Sequence, residues 1–318
     1  MSLAEHVRIL GRGPGRSRSL TSEEAASAMG LMLSGEAAAE AVGALLMLLR
    51  MKGETSQEIA GFAQAAQASL DEMPQADLDW PCYAAGRTRG LPWFLLSARL
   101  VACRGNRVLL HGWNGTDASV RQAVERLSIP YAQSAAEAAA ALDRDRIAYM
   151  PLETMQPALF ALLALRAKLG LRSCINTVCR MLNPARADAS VQGVFHPPYR
   201  KLQADAGALL GLSGLTVIKG GGGEFERHPG KAIAAFGLRG GAAWEAVLPA
   251  FSPDGRRLSA LDLPPEALGQ LWECDTAPAF ARDLVMGTAR LALDTLGVSE
   301  PAEEANRLWS IRQCRKAA

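Results

Sequence analysis

The sequence predicts an α/β protein with an added helical domain: a small all-α domain beside a larger α/β domain with a mainly parallel sheet. Three observations predict this. Residues 1–70 are rich in strong helix formers and hold no strand-like run. Beyond residue 80, short apolar runs alternate with helical stretches, the texture of strands joined by crossover helices. Residues 153–182 interrupt that alternation with one long helix-like stretch.

The elements follow in order. TSEE at 21–24 and TSQE at 55–58 are capping boxes, in which Thr and Glu each satisfy a backbone N–H left orphaned at a helix start. Between them SGEAAAEAVGALLMLLRMKG predicts a helix that stops at Gly53. DEMPQADLDWP, residues 71–81, has two prolines and four acids and reads as the linker. RVLLHG (107–112), RIAYM (146–150), VQGVFH (191–196) and LTVIKG (215–220) read as buried strands. DASVRQAVERL and YRKLQADAGALLG read as helices between them. The stretch 153–182 is expected to return to the N-terminal helices. The small domain would then be discontinuous, residues 1–70 with 153–182, and the α/β domain would comprise 80–150 with 185–318.

Composition narrows the class. The 318 residues are 49% hydrophobic and 21% charged, which excludes a disordered chain. Cys82, Cys103, Cys174, Cys179, Cys274 and Cys314 form no CxxC pair and no zinc spacing, so reduced, mostly buried thiols are expected. His6, His111, His196 and His228 are too scattered to suggest a metal constellation. GALLMLLRM, the most apolar stretch, is too short to span a bilayer and carries Arg50. A cytoplasmic protein without a membrane partner is the expectation.

VIKGGGGEFERHPGKA, residues 217–232, holds four consecutive glycines. Such a run lets backbone N–H groups converge on an anion, because no Cβ blocks the approach. The spacing fits neither a P-loop, which needs glycine at Phe225 and Ser or Thr at Ala232, nor a dinucleotide loop. A plain turn is the commoner meaning. His111 and His196 stand at strand ends, where a structural hydrogen bond is the usual role.

The segment from AKLGLRSCINTVCRMLNPARAD through GVFHPPYRKLQADAGALLG to VIKGGGGE resembles the anthranilate phosphoribosyltransferase-like fold, glycosyl transferase family three, a nucleoside phosphorylase/phosphoribosyltransferase-like architecture. Arg172, Asn176, Asn183-Pro184, the run from Gly193 to Pro197, and His111-Gly112 carry the match. The resemblance implies displacement of pyrophosphate from C1 of phosphoribosyl pyrophosphate, with a G-T-G-G-D anion cradle and adjacent acids that hold magnesium. This chain departs from both motifs. YAAGRTRGLPWF (83–94) stands at the cradle, where Gly86 and Thr88 are remnants and Arg87 and Arg89 have entered. At the second motif Lys219 replaces a histidine, and Glu224 and Glu226 flank Phe225. The remnant anion site would comprise Gly86, Thr88, His111, Gly112, Arg172, Lys219, Gly220, Gly221, Gly222 and Gly223. Glu224 and Glu226 are weak metal candidates, and a solvated surface pair is the favoured reading. No cofactor is expected, magnesium entering only if transferase activity survives.

Charge distribution adds a second clue. Net charge is only +2, yet Arg8, Arg12, Arg16 and Arg18 face one glutamate in residues 1–20. Arg87, Arg89, Arg99, Arg104 and Arg107 face no acid in residues 87–107, and Arg307, Arg312, Arg315 and Lys316 face none in residues 307–318. The altered motifs and basic start resemble a divergent branch of the family that binds DNA and RNA without sequence preference, as homodimers. The expected function is therefore nucleic-acid binding with the classical activity lost, through Arg12, Arg16, Arg18, Arg87, Arg89, Arg200, Lys201, Arg312, Arg315 and Lys316. Two alternatives remain: a phosphoribosyl- or pentosyl-transferase with an unusual acceptor, whose pocket Trp93, Trp113 and Phe225 would line, and a small-molecule-binding pseudoenzyme.

Overall fold

The computed structural model describes residues 2–84, 90–113, 119–255 and 263–312. The chain opens with α1 (Leu3–Gly11), α2 (Ser22–Leu33), α3 (Ala39–Lys52) and α4 (Ser56–Ala68). Both capping boxes form: Thr21 Oγ1 accepts from the Glu24 N–H, and Thr55 Oγ1 from that of Glu58. Glu58 does more than cap. It is fully buried, accepts the Leu20 N–H at 2.9 Å and pairs with Lys52 at 2.8 Å, so one carboxylate ties together the starts of α2 and α4 and the end of α3. Gly53 ends α3 at φ 84°, a conformation glycine adopts without strain.

Strand β1 (Leu78–Cys82) follows, then α5 (Phe94–Cys103), β2 (Val108–Gly112), α6 (Ser119–Arg126), α7 (Ala135–Asp145) and β3 (Ile147–Pro151). The expected linker therefore ends inside a strand. Pro81 lacks an N–H, which made this stretch read as a breaker. In the sheet β1 pairs with β2 through Cys82↔Gly112, whereas its pairing with the next neighbour stops at Asp79, before the proline.

The stretch 153–182 is a chain of short helices: α8 (Leu152–Met155), α9 (Pro157–Ala164), α10 (Arg166–Leu169) and α11 (Ile175–Arg180). Pro157 starts α9 and Gly170, at φ 69°, ends α10. Leu159, Leu162, Ile175 and Val178 share a core with Leu45, Leu46 and Phe62 of the N-terminal helices.

Strand β4 (Ala189–Val194), α12 (Tyr199–Leu209) and β5 (Gly214–Lys219) complete the parallel part of the sheet. The hairpin of β6 (Ile233–Arg239) and β7 (Ala242–Leu248) adds two antiparallel strands that were not anticipated. Its turn, Gly240-Gly241, has φ of 56° and 77°, the backbone that suits a two-residue hairpin. The seven strands run in the order β3-β2-β1-β4-β5-β6-β7. Helices α13 (Ala267–Cys274), α14 (Ala279–Thr295) and α15 (Pro301–Ile311) close the chain, and α14 packs with α5 on one sheet face around Trp80, Phe94, Leu284 and Val285. This is the expected class: a small helical part and a larger α/β part with a mostly parallel sheet. Cys82, Cys174 and Cys179 are buried free thiols, while Cys274 is exposed.

Candidate functional site

In an open parallel sheet, ligands bind beyond the carboxyl ends of the strands, where loops rather than ladders satisfy the backbone. Here the ends of β4 and β5 face the helical core across a cleft of about 550 Å³. Arg50 of α3 lines it from one side, Arg166, Arg172, Asn176 and Arg180 from the α10–α11 region, and Phe195, His196, Tyr199, Gln203 and Gly222 from the sheet side. Its described lining holds four arginines and no carboxylate. That composition suits an anion.

Two arginines are fixed by backbone oxygens rather than by acids. Arg50 Nη1 donates to the Arg172 carbonyl at 2.8 Å. Arg180, 6% exposed, donates to the Tyr83 carbonyl at 2.5 Å and to Asn176 Oδ1. Burial lowers the Arg180 pKa, and the nearby Glu224 carboxylate works in the opposite direction.

The glycine run has a steric reason. Gly221–Gly223 form a tight 3-10 turn in which Gly222 and Gly223 have φ of 65° and 98°. A Cβ at Gly220 would lie 1.6 Å from the Glu224 carbonyl oxygen, and one at Gly193 would lie 2.1 Å from its carbonyl carbon. Without side chains there, the turn folds back onto β4 and inserts the next three residues into the molecule. Phe225 is fully buried with its ring edge-on to Trp80 at 5.5 Å.

Glu224 and Glu226 are consequently buried, at 1% and 6% exposure, and the expected solvated pair is incorrect. Glu224 Oε1 accepts the Ala84 N–H at 2.7 Å, and Glu226 Oε1 accepts the Phe94 N–H at 3.0 Å. Burial pushes the Glu226 carboxyl up to about 8; the Phe94 N–H opposes the shift and Glu224 adds to it. Such a carboxyl is mostly protonated at neutral pH, and each side chain gives its Oε1 to a backbone N–H. No group of three His, Cys, Asp or Glu poised for a metal exists among the described residues. This pair does not fit a magnesium ion.

His111 has a structural hydrogen-bonding place, as its strand-end position suggested. Its Nε2 lies 3.0 Å from Asp79 Oδ1 and its Nδ1 lies 2.9 Å from the Tyr83 hydroxyl, all fully buried. The Ser190 hydroxyl donates to Asp79 Oδ2 at 2.7 Å. The ring thus bridges Asp79 and the Tyr83 hydroxyl inside the sheet.

Of the expected anion-site residues, Arg172 and Gly222 line the cleft; Gly220, Gly221 and Gly223 shape its neighbouring turn; Lys219 is exposed at the end of β5. His111 and Gly112 belong to the sheet interior. Gly86, Thr88, Arg87, Arg89, Arg315 and Lys316 lie outside the described residues. Trp93 and Phe225 are core residues, and Trp113 packs on Phe160. Sequence reasoning missed Arg50 and Arg180 because each sits inside a helical apolar run and reads as an ordinary helix face. Asn176 was visible as a motif residue, but its grip on Arg180 was not.

Among the described residues, several members of the basic clusters are held by acids, carbonyls or rings. Arg18 pairs bidentately with Glu24 at 2.6 Å, Lys201 with Asp205 at 3.1 Å, Arg107 with Asp143 at 2.9 Å, and Arg307 with Glu304 at 2.7 Å. Arg200 donates to the Ala234 carbonyl and lies over the Phe236 ring. Arg312 is 7% exposed, donates to the Trp272 carbonyl and stacks on Trp309 at 3.8 Å. Arg12 and Arg16 share their exposed patch with Glu5 and Glu24. Among the described residues no helix is long and apolar enough to cross a membrane.

Residues 5–70 match a family described as the helical bundle domain of the glycosyl transferase family. An anthranilate phosphoribosyltransferase of Halobacterium salinarum is 32% identical over 276 residues, 79% of this chain and 78% of the relative. One of Geobacillus kaustophilus is 28% identical over 300 residues, 90% of this chain and 88% of the relative. The solved anthranilate phosphoribosyltransferase of Thermus thermophilus superposes with a TM-score of 0.81 at 23% identity, over 98% of this chain and 95% of the other. The Saccharomyces cerevisiae enzyme, solved with phosphoribosyl pyrophosphate and magnesium, superposes with a TM-score of 0.73 at 15% identity, over 98% and 96%. These relatives act on small molecules. They overturn the reading of a nucleic-acid-binding protein with DNA or RNA as its partner.

Proposed function

This chain belongs to the anthranilate phosphoribosyltransferase family, and from that membership we propose that it is a transferase. It moves a phosphoribosyl group from a pyrophosphate-activated donor to a small aromatic acid of the anthranilate class. The observation that carries this reading is the cleft of arginines without carboxylates at the carboxyl ends of β4 and β5. We take the helical part to be residues 1–70 with 153–182 and the α/β part to be 80–150 with 185–318, which sets the cleft between the two.

The chemistry asks for charge in two places. As the bond from C1 to the leaving oxygen breaks, negative charge gathers on pyrophosphate, and preorganised cations lower that barrier. Arg180 and the Gly221–Gly223 turn face this role from the strand ends. An aromatic acid needs a cation for its carboxylate and a wall for its ring. Arg50 and Arg172 supply the first, Phe195 and Tyr199 the second. Holding both reactants in one cleft makes the attack on C1 effectively unimolecular.

The exit of β1 sets a difference in detail from a glycine cradle. Cys82 ends the strand, Tyr83 and Ala84 follow it, and the Ala84 N–H is already bonded to Glu224. Magnesium accompanies the donor in the yeast relative.

The test mixes the purified protein with phosphoribosyl pyrophosphate, anthranilate and magnesium and follows both pyrophosphate release and loss of anthranilate fluorescence. Turnover that falls at least about tenfold in Arg172→Ala, the loss of one charge-assisted contact, supports the reading. Absence of turnover with anthranilate and with other amino- or hydroxybenzoates contradicts it.

A further inference from the structure

Two acids one residue apart in an extended segment share a face and present their oxygens together. Glu224 and Glu226 do not behave this way. Each gives one oxygen to a backbone N–H, Ala84 just after β1 in the first case and Phe94 at the first turn of α5 in the second. Phe225 between them is locked against Trp80, and neither Gly193 nor Gly220 has room for a Cβ beside the inserted backbone. Bringing both carboxylates onto one metal would move the backbone that carries Phe225, and a cation at Glu224 would meet the charge of the nearby Arg180 guanidinium.

The first clamp also reaches the cleft. Ala84, held by Glu224, directly follows Tyr83, whose carbonyl oxygen accepts from Arg180 at 2.5 Å. Arg180 in turn stands next to the glycine turn: a Cβ at Gly223 would lie 3.5 Å from its Nη2. The guanidinium thus sits where the turn meets the cleft, and its height is set through Tyr83 and Ala84 by Glu224.

We propose that Glu224 and Glu226 are positioning residues that clamp the described flanks of the segment between β1 and α5, and that Arg180, so held, lets the cleft bind pyrophosphate without a protein-held divalent cation. This rests on the reading of the cleft as a pyrophosphate-displacing site.

Calorimetric titration with inorganic pyrophosphate, in chelator and in magnesium, tests it, together with the electron paramagnetic resonance of manganese added to the protein alone. The variants are Glu224→Gln, which keeps an oxygen for the Ala84 N–H, and Glu224→Ala, which does not. The expected result is pyrophosphate binding in chelator that magnesium does not strengthen, and no bound manganese in any form. Glu224→Gln should bind like the parent, whereas Glu224→Ala should lose roughly tenfold, the equivalent of about 1.4 kcal/mol. Manganese bound by the protein alone and lost in Glu224→Gln would overturn the inference even if Glu224→Ala fails to fold. Pyrophosphate binding that appears only with metal would overturn it too, while leaving the transferase reading intact. No pyrophosphate binding under either condition would sink both.

Discussion

Two populations of arginine in this chain differ in what holds them. Three from the basic clusters meet carboxylates: Arg18 meets Glu24, Arg107 meets Asp143, Arg307 meets Glu304. In the cleft, Arg50 and Arg180 are held by carbonyl and amide oxygens, with the buried Glu224 near Arg180 but outside the described lining. A paired arginine projects little field beyond its partner, and salt screens what is left. One anchored by neutral oxygens keeps its charge available to a ligand. Counting charge along the sequence ranks the first population above the second; the structure reverses the order.

Breaking the cleft population should have the largest effect. Arg180→Met leaves the Tyr83 carbonyl, Asn176 and the buried Glu224 without their cation, and should cost about 3 kcal/mol in urea denaturation. Arg180→Lys keeps the charge but not the fork, and should retain more stability than anion affinity. Gly193→Ala comes next. Its Cβ would stand 2.1 Å from the Glu224 backbone, so the turn must shift, at about 2 kcal/mol by calorimetric melting.

Protonation of the buried acids sharpens the comparison further. Glu226 has its carboxyl raised from 4.5 to about 8 by burial, so the folded state holds a proton that the unfolded state has released. Its contribution is complete below 4.5 and is lost as pH rises through about 8. Stability of the parent should therefore decline across that window relative to Glu226→Gln, which has no proton to lose. Matched urea titrations at pH 5, 7 and 9 read the difference; parallel curves would show that Glu226 ionises normally. At the small end, Lys201→Ala removes an exposed pair with Asp205 and should change stability by no more than about 0.5 kcal/mol.

How much of this was legible follows from the range of each signal. The capping boxes at Thr21 and Thr55 are local and were read correctly. So were four strands, because a buried parallel strand is a short apolar run. β1 was half-hidden, since Pro81 reads as a breaker unless the neighbouring ladder is known to stop before it. The β6–β7 hairpin carried a usable signal in Gly240-Gly241 that went unread beside the longer glycine run. The cleft was legible in pieces. Arg172 and the glycines stood out by motif, but the burial of Glu224 and Glu226 depends on Gly193, thirty-one positions upstream of Glu224, and no local pattern records that contact. Whether an arginine meets an acid is likewise a long-range fact: Arg107 and Asp143 are 36 residues apart.

Cleft arginines, not surface ones, serve the anion site. Steady-state turnover of phosphoribosyl pyrophosphate with anthranilate measures this directly in two double variants, Arg50→Gln with Arg172→Ala in the cleft and Arg12→Gln with Arg16→Gln on the surface. The cleft pair should lower kcat/KM by roughly a hundredfold, two charge-assisted contacts at about 1.5 kcal/mol each. The surface pair should leave it within about twofold, as expected of substitutions away from the site. Equal losses in both pairs, or a loss confined to the surface pair, would contradict the assignment of the cleft.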